Sequence, residues 1–271
     1  MSSQLPQSLV LVGAGKMGGA MLEGWLRIGM AGPGITLVDP HISEAMSTLA
    51  AEKGMAVNPP KVAAAEVVVL ATKPQMLDTA APAVQALIGP RTLLISILAG
   101  KTLGDLAQRL PNAGAIVRAM PNLPASVQRG VTAAAAGPGV SAAQREMADA
   151  LLGSIGKVEW LADEGLIDAV TAVSGSGPAY VFHLVEALAA AGAAAGLPAD
   201  LAGRLARATV EGAGEMLFQS DLAPGTLRQN VTSPGGTTAA ALEVLMAEDG
   251  MPLLMRRAVA AAKRRAEELS G

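Results

Sequence analysis

Up to Leu161 the chain alternates short apolar runs with segments of helical spacing, and beyond Leu161 such runs stop. This pattern allows few folds. The runs are Ser8–Val12, Ile35–Asp39, Val67–Ala71, Leu93–Ile97, Ala115–Arg118, Val131–Ala135 and Lys157–Leu161. Gly18–Ile28 and Ser43–Lys53 have helical spacing, and Ser43 is placed to cap the second. Val67–Ala71 is continuous and β-branched, as a strand buried on both faces requires. Alternation of this kind predicts a mostly parallel sheet with helices on both faces, the doubly wound α/β class. From Glu164 onward the pattern is helical, punctuated at Gly175–Pro178, Gly196–Pro198, Pro224–Gly225 and Pro234–Gly236. We therefore expect a Rossmann-like domain over residues 1–162 and an all-helical domain over 163–271. A chain of 271 residues is long enough for two cores.

Hydrophobic residues make up 51% of the chain but aromatics only 2%, so the cores must form by close approach of small-residue helices. Val185–Ala195 is Ala-rich around much of a helix circumference, and a helix apolar all round wants burial on every side. A domain of about 110 residues hardly supplies that alone, so subunits are expected to share these helices. Ala179–Leu197 has the length of a membrane span but contains His183 and Glu186, and a buried helix is the expectation. Arg256–Glu268 reads as a charged amphipathic helix with a solvated face.

The formal net charge is −3, no long basic run occurs, and the few aromatics cannot form a base-stacking surface, which disfavours nucleic acid as a partner. Cysteine is absent, which removes disulfides, thiolate metal sites and cysteine nucleophiles and fits a reducing compartment. The two histidines, His41 and His183, fall in different expected domains, so no histidine metal site or triad is expected. His183, in an apolar segment, is expected to be packed. Met1–Val12 has neither a basic start nor a long apolar region, so no leader is expected.

Gly13-Ala14-Gly15-Lys16-Met17-Gly18 follows a strand run and opens a helical segment. In that context the GxGxxG spacing predicts a dinucleotide site. Gly13 permits the tight turn, Gly15 lets backbone approach a pyrophosphate, and Gly18 allows close helix–strand packing. The competing reading is an ordinary glycine turn. Asp39 ends the second run about 20 residues past the motif, where an acidic residue accepts the adenosine ribose hydroxyls and repels a 2′-phosphate. It can also be a plain turn residue before Pro40. Ala71-Thr72-Lys73-Pro74 and Ile97-Leu98-Ala99-Gly100 follow strand runs, so they reach a ligand beyond the strand ends or form surface loops.

In the helical half, Ser174–Tyr180 and Ser233-Pro234-Gly235-Gly236-Thr237-Thr238 each precede a helix with an excess of small and hydroxyl residues. Such helix starts bind carboxylates through backbone N–H groups, or are simple caps. Glu164, by position alone, is a first-turn acidic residue favoured by the helix dipole.

With these motifs in place, and with Arg118-Ala119-Met120-Pro121-Asn122, Asp168-Ala169-Val170-Thr171 and Asn230–Thr238, the chain resembles the pyrroline-5-carboxylate reductase family along essentially its whole length. The resemblance implies a Rossmann-like domain followed by a helical dimerisation domain. It also implies hydride transfer from a reduced nicotinamide to the C=N carbon of 1-pyrroline-5-carboxylate, giving L-proline. Family members are commonly decamers of five dimers, and their active site lies between one subunit's nucleotide domain and its partner's helices. By the resemblance, Val12, Gly13, Ala14, Gly15, Lys16, Met17, Asn58, Ala71, Thr72, Lys73, Pro74, Ile97, Leu98, Ala99 and Asn230 line the dinucleotide site. Glu164, Thr237 and Thr238 meet substrate or product, and Ser233, Gly235 and Gly236 belong to the carboxylate-binding run. Thr238 is the candidate catalytic hydroxyl, as proton donor or orienter of a water, although by pKa a threonine hydroxyl is a poor general acid. Many relatives carry a small polar residue where Asp39 stands and use NADPH, whereas Asp39 favours NADH, so either cofactor is expected. A cytoplasmic homo-oligomer without membrane attachment is expected.

Two rivals can be weighed. A β-hydroxyacid dehydrogenase needs a base for its alcohol, typically a lysine on the second domain, and no lysine lies between Gly165 and Arg256. A non-enzymatic dinucleotide sensor would not need the Ser233–Thr238 run.

Overall fold

The computed structural model describes residues 5–270. Residues 1–4, at the head of the expected nucleotide domain and of the segment read for a leader, and Gly271 of the helical domain lie outside it. Seven of the strands are the seven apolar runs: β1 (Leu9–Val12), β2 (Ile35–Val38), β4 (Ala65–Leu70), β5 (Ile88–Ser96), β6 (Ala115–Met120), β7 (Gly130–Ala136) and β8 (Gly156–Leu161). A two-residue strand, β3 (Ala56–Val57), was not foreseen, being too short to carry a period-2 pattern. The sheet order is β3-β2-β1-β4-β5-β6-β7-β8. All neighbours pair in parallel except β6 with β7, which are antiparallel.

Both faces of the sheet are buried. Leu9, Leu11, Val67, Val69, Leu93, Ile95 and Val117 form one core with Met21, Leu22 and Trp25 of α1 (Lys16–Arg27) and Leu151 and Leu152 of α5 (Ala142–Gly153). The alternate residues Val10, Val12, Val68, Leu70, Leu94 and Ile116 form a second core. It includes Leu77, Ala81 and Val84 of α3 (Leu77–Gln85) and Leu106 of α4 (Leu103–Arg109). The side-chain period of two sends neighbouring strand residues to opposite faces, so continuous apolar runs need helices on both sides. Trp25 is fully buried, and its indole N–H donates to the Leu151 carbonyl at 3.0 Å, which ties α1 to α5. As expected, Ser43 caps α2 (Glu44–Lys53) by accepting the Met46 N–H.

By contacts the chain divides into two compact units, one of residues up to Gly175 together with those from Lys263, the other Ser176–Ala262. The expected boundary at 162/163 marks where strands give way to helices. The contact boundary lies later because Glu164–Gly175 and the last turns of the C-terminal helix α11 (Met251–Ser270) pack within the sheet unit. There Ser270 Oγ donates to Asp168 Oδ1 at 3.1 Å, so the expected solvated helix is held at its end. The second unit comprises α7 (Gly177–Ala194), α8 (Ala199–Gln219), α9 (Pro224–Asn230), α10 (Thr237–Leu245) and the greater part of α11.

The single chain does not cover α7, whose burial was expected to come from a second subunit. No residue of α7 is buried within the single chain, and Val181, Phe182, Leu184 and Leu188 are exposed. A small helical unit rich in Ala has too little area to cover a helix all round. His183 is likewise not packed: its side chain is 79% exposed, and Nδ1 lies 3.0 Å from Glu186 Oε2 one helical turn on. Among the described residues, no helix is long and apolar enough to cross a membrane.

Candidate active site

Strand register assembles the first part of the site. Val12 lies level with Val38 and Leu70, Leu70 with Ser96, and Leu37 with Val57. Gly13, Asp39, Asn58, Ala71 and Ile97 therefore leave the sheet along one edge. Each step is stitched by a backbone bond: Gly13 N–H to Val38 O, Ala71 N–H to Val12 O, Ile97 N–H to Leu70 O and Asn58 N–H to Leu37 O, all 2.8–3.0 Å. The carboxyl edge of an open parallel sheet is where ligands bind.

The three motif glycines play different parts. Gly13 has φ +94, and a Cβ there would lie 2.7 Å from the Ala71 carbonyl oxygen. A Cβ on Gly18 would lie 2.2 Å from the Gly13 oxygen. These two are demanded by packing. At Gly15 a Cβ would meet nothing within 4 Å. Packing does not demand that glycine, which leaves room for a ligand against the backbone. Gly15 is also the N-cap of α1, and no side chain caps the helix, so none takes up its first N–H groups. The Thr72 hydroxyl oxygen is buried and has no hydrogen-bond partner. An uncapped helix start, an unfilled glycine and an orphaned buried hydroxyl fit a pyrophosphate-bearing dinucleotide.

Asp39 is held through both carboxylate oxygens and through its backbone. Oδ2 accepts the Ala14 N–H and Oδ1 the His41 N–H, each at 2.8 Å. Its own N–H donates to Asn58 Oδ1 at 2.9 Å, and its carbonyl accepts Asn58 Nδ2 at 2.7 Å. Asn58 adopts φ +44, a left-handed conformation that asparagine tolerates better than most residues. The family resemblance assigns Asn58 to the dinucleotide site; its clamp on Asp39 appears only when β3 is paired.

The second unit carries candidate residues of its own. Gly236 is the N-cap of α10, and no side-chain bond caps the helix. The chain enters through a turn in which Gly236 N–H donates to Ser233 O at 3.0 Å. Gly235 sits at φ +67, with nothing within 4 Å of a notional Cβ. Thr237 and Thr238 thus open an uncapped helix, and Ser233, Gly235 and Gly236 form the turn before it. Asn230 is the exposed last residue of α9.

Ser174–Tyr180, which the sequence leaves open between a carboxylate-binding helix start and a simple cap, leads into α7 without a side-chain cap. A π-helical turn, Thr171–Gly175, joins the short α6 (Ile167–Val170) to the start of α7, and Ser174 Oγ donates back to the Val170 carbonyl at 3.1 Å. The Ser174 carbonyl accepts Asn122 Nδ2 at 3.1 Å, while Asn122 Oδ1 accepts the Val131 N–H at 2.9 Å. Ser174, near the end of the first unit, is thereby clamped to the sheet.

Glu164 lies in the sheet unit, where Oε1 accepts both the Arg118 guanidinium at 2.8 Å and the Leu103 N–H at 2.7 Å. Sequence reading did not single out Arg118 or Asn122 individually. The available signal was a charged residue inside an apolar strand, followed by Pro121-Asn122, for a buried polar side chain must find partners. Among the described residues, no cluster of His, Asp or Glu suits a metal ion.

The chain is 40% identical over 265 residues to the pyrroline-5-carboxylate reductase of Pseudomonas aeruginosa, covering 97% of this chain and 96% of the relative. The chain belongs to the pyrroline-5-carboxylate reductase family. The soybean (Glycine max) pyrroline-5-carboxylate reductase is 39% identical over 263 residues, 96% of this chain and 95% of that one. Residues 164–269 match the family model for pyrroline-5-carboxylate reductase dimerisation, and residues 8–100 match the model for NADP oxidoreductase, coenzyme F420-dependent. Among solved structures, a pyrroline-5-carboxylate reductase from Coxiella burnetii superposes with a TM-score of 0.91 at 33% identity, covering 99% of this chain and all of that one. The Plasmodium falciparum pyrroline carboxylate reductase, solved with NADP bound, superposes with a TM-score of 0.79 at 25% identity over 99% of this chain.

Proposed function

We propose that this chain reduces 1-pyrroline-5-carboxylate to L-proline, using a reduced nicotinamide dinucleotide. Similarity to named pyrroline-5-carboxylate reductases over nearly the whole chain carries this reading, and the glycine-led, uncapped starts of α1 and α10 support it. The dinucleotide, when bound, supplies the hydride. In this reading Gly13–Met17 hold the pyrophosphate through the N–H groups and positive end of α1. Val12, Asp39, Asn58, Ala71–Pro74 and Ile97–Ala99 line its course, and Asn230 joins them. The N–H groups opening α10, with Ser233, Gly235, Gly236 and Thr237, receive the substrate carboxylate.

Thr238 is assigned to the imine nitrogen, as donor or as orienter of a water. A threonine hydroxyl is a weak acid, so protonation of the imine by solvent before binding satisfies the chemistry, and Thr238 then acts by positioning. Glu164 is assigned to the substrate through Oε2, which the bonds from Arg118 and Leu103 leave unused.

The matched dimerisation model and the exposed apolar side chains of α7 and α8 support a homodimer, with a cytoplasmic decamer of five dimers as the finer proposal. Steady-state kinetics with 1-pyrroline-5-carboxylate and NADH or NADPH test the activity; absence of turnover with both would overturn it. Light scattering should give at least a dimer, and an active monomer at assay concentration would remove the shared-helix reading.

A further inference from the structure

We infer that Asp39, locked in place by the glycine loop and by Asn58, makes this chain select NADH over NADPH. The inference rests on the dinucleotide reading and deepens it. Two backbone donors, Ala14 N–H and His41 N–H, fix the carboxylate at 2.8 Å each, one on each oxygen. A carboxylate offers about four acceptor positions, so each oxygen keeps one for a further donor. The 2′-hydroxyl of an NADH ribose is such a donor. The 2′-phosphate of NADPH offers acceptor oxygens and adds nearly two negative charges beside the carboxylate.

The carboxylate is also costly to move aside. Rotation would break both bonds to backbone N–H groups, and displacement of the backbone would break the reciprocal pair with Asn58.

The sequence after β2 offers a phosphate little. Pro40, His41, Ile42, Ser43 and Glu44 include no lysine or arginine, and the Ser43 hydroxyl is engaged as the cap of α2. The next cation, Lys53, is in the last turn of α2, nine residues beyond Glu44 at the helix start and so roughly 14 Å along the axis. Lys16, at the head of α1, serves the pyrophosphate that both cofactors share. Lys61, three residues after Asn58 and exposed, is the cation that competes with this inference.

The test is calorimetric titration of the full-length protein with NADH and with NADPH, without substrate, at fixed ionic strength. NADH should bind at least about tenfold more tightly, the equivalent of roughly 1.4 kcal/mol. Asp39→Asn, which is isosteric and neutral, and Asp39→Ser should each move the affinity ratio toward NADPH by about tenfold. Asn58→Gly, which tolerates the left-handed backbone but releases Asp39, should move it the same way by a smaller factor.

Tighter binding of NADPH by the unaltered protein would overturn the inference, and loss of that preference in Lys61→Ala would assign the phosphate to Lys61. An unmoved ratio in folded Asp39→Asn would overturn it too. Failure of both dinucleotides to bind would instead sink the dinucleotide reading itself.

Discussion

Arg118 and Glu164 form an ion pair of 2.8 Å in which the arginine side chain is only 6% exposed. The same carboxylate oxygen receives the Leu103 N–H at the start of α4, so one glutamate joins β6, α4 and the segment entering α6. Glu164→Ala would leave a buried guanidinium unpaired and is expected to cost about 3–5 kcal/mol. Arg118→Met should cost less, because Glu164 keeps the Leu103 N–H and some solvent. Urea denaturation of both variants decides this; equal or reversed losses would show that the pair does not carry the joint.

The motif glycines separate folding from binding. Gly18→Ala sets a methyl 2.2 Å from the Gly13 oxygen and should destabilise the nucleotide unit strongly. Gly15→Ala meets no protein atom within 4 Å, so its melting temperature should stay within a few degrees while dinucleotide affinity falls at least about tenfold. Thermal denaturation and titration of the same samples read both. A Gly15→Ala protein that binds normally would exclude the close approach of backbone to pyrophosphate.

Thr238→Ala should lower kcat/KM for 1-pyrroline-5-carboxylate by about 10 to 100-fold, the loss of one hydrogen bond to a charged group, roughly 1.5–3 kcal/mol. Dinucleotide affinity should be nearly unchanged. Unaltered kinetics would remove Thr238 from the substrate site.

Asp105 contributes an acid-sensitive element. It belongs to a capping box: Asp105 Oδ2 accepts the Thr102 N–H at 3.0 Å, and Thr102 Oγ1 accepts the Asp105 N–H at 3.0 Å. The Thr102 N–H chiefly holds its carboxyl below the usual carboxylate range, with the Thr102 hydroxyl and Arg109 adding to this against the opposing effect of burial. The lowered folded-state pKa stabilises the fold at pH values above the ordinary aspartate value of 3.8. That contribution is lost as pH falls through the lowered value. Asp105→Asn should therefore flatten the stability curve below about pH 4 and leave its slope near pH 7 unchanged. Thr102→Ala, which removes the cap itself, should cost about 1 kcal/mol at neutral pH. Denaturant midpoints across pH measure both, and an acid limb identical in Asp105→Asn would show the carboxylate is not coupled to folding.

What the sequence determined by itself was periodicity and punctuation. Continuous β-branched runs such as Val67–Leu70 require burial on both faces, and Gly13–Gly18 between a strand and a helix requires a tight turn, so seven strands and the glycine loop were legible residue by residue. The start of α10 was legible only as either a cap or an open helix start, and the structure makes Gly236 its N-cap, with no side-chain bond. Tertiary structure alone decided which polar groups meet. Asn58 clamps Asp39 across 19 residues, Arg118 reaches Glu164 across 46, and Asn122 holds the Ser174 carbonyl across 52. Local pattern records the face a side chain occupies and not its partner on another element, so these contacts arise only once strand register is set. The same reason explains Ser174–Tyr180. Its composition suits a helix start, but the helical turn before it and the bond from Asn122 take up groups that a local reading left open. It explains α7 as well, whose apolar circumference calls for burial that residues of one chain do not provide.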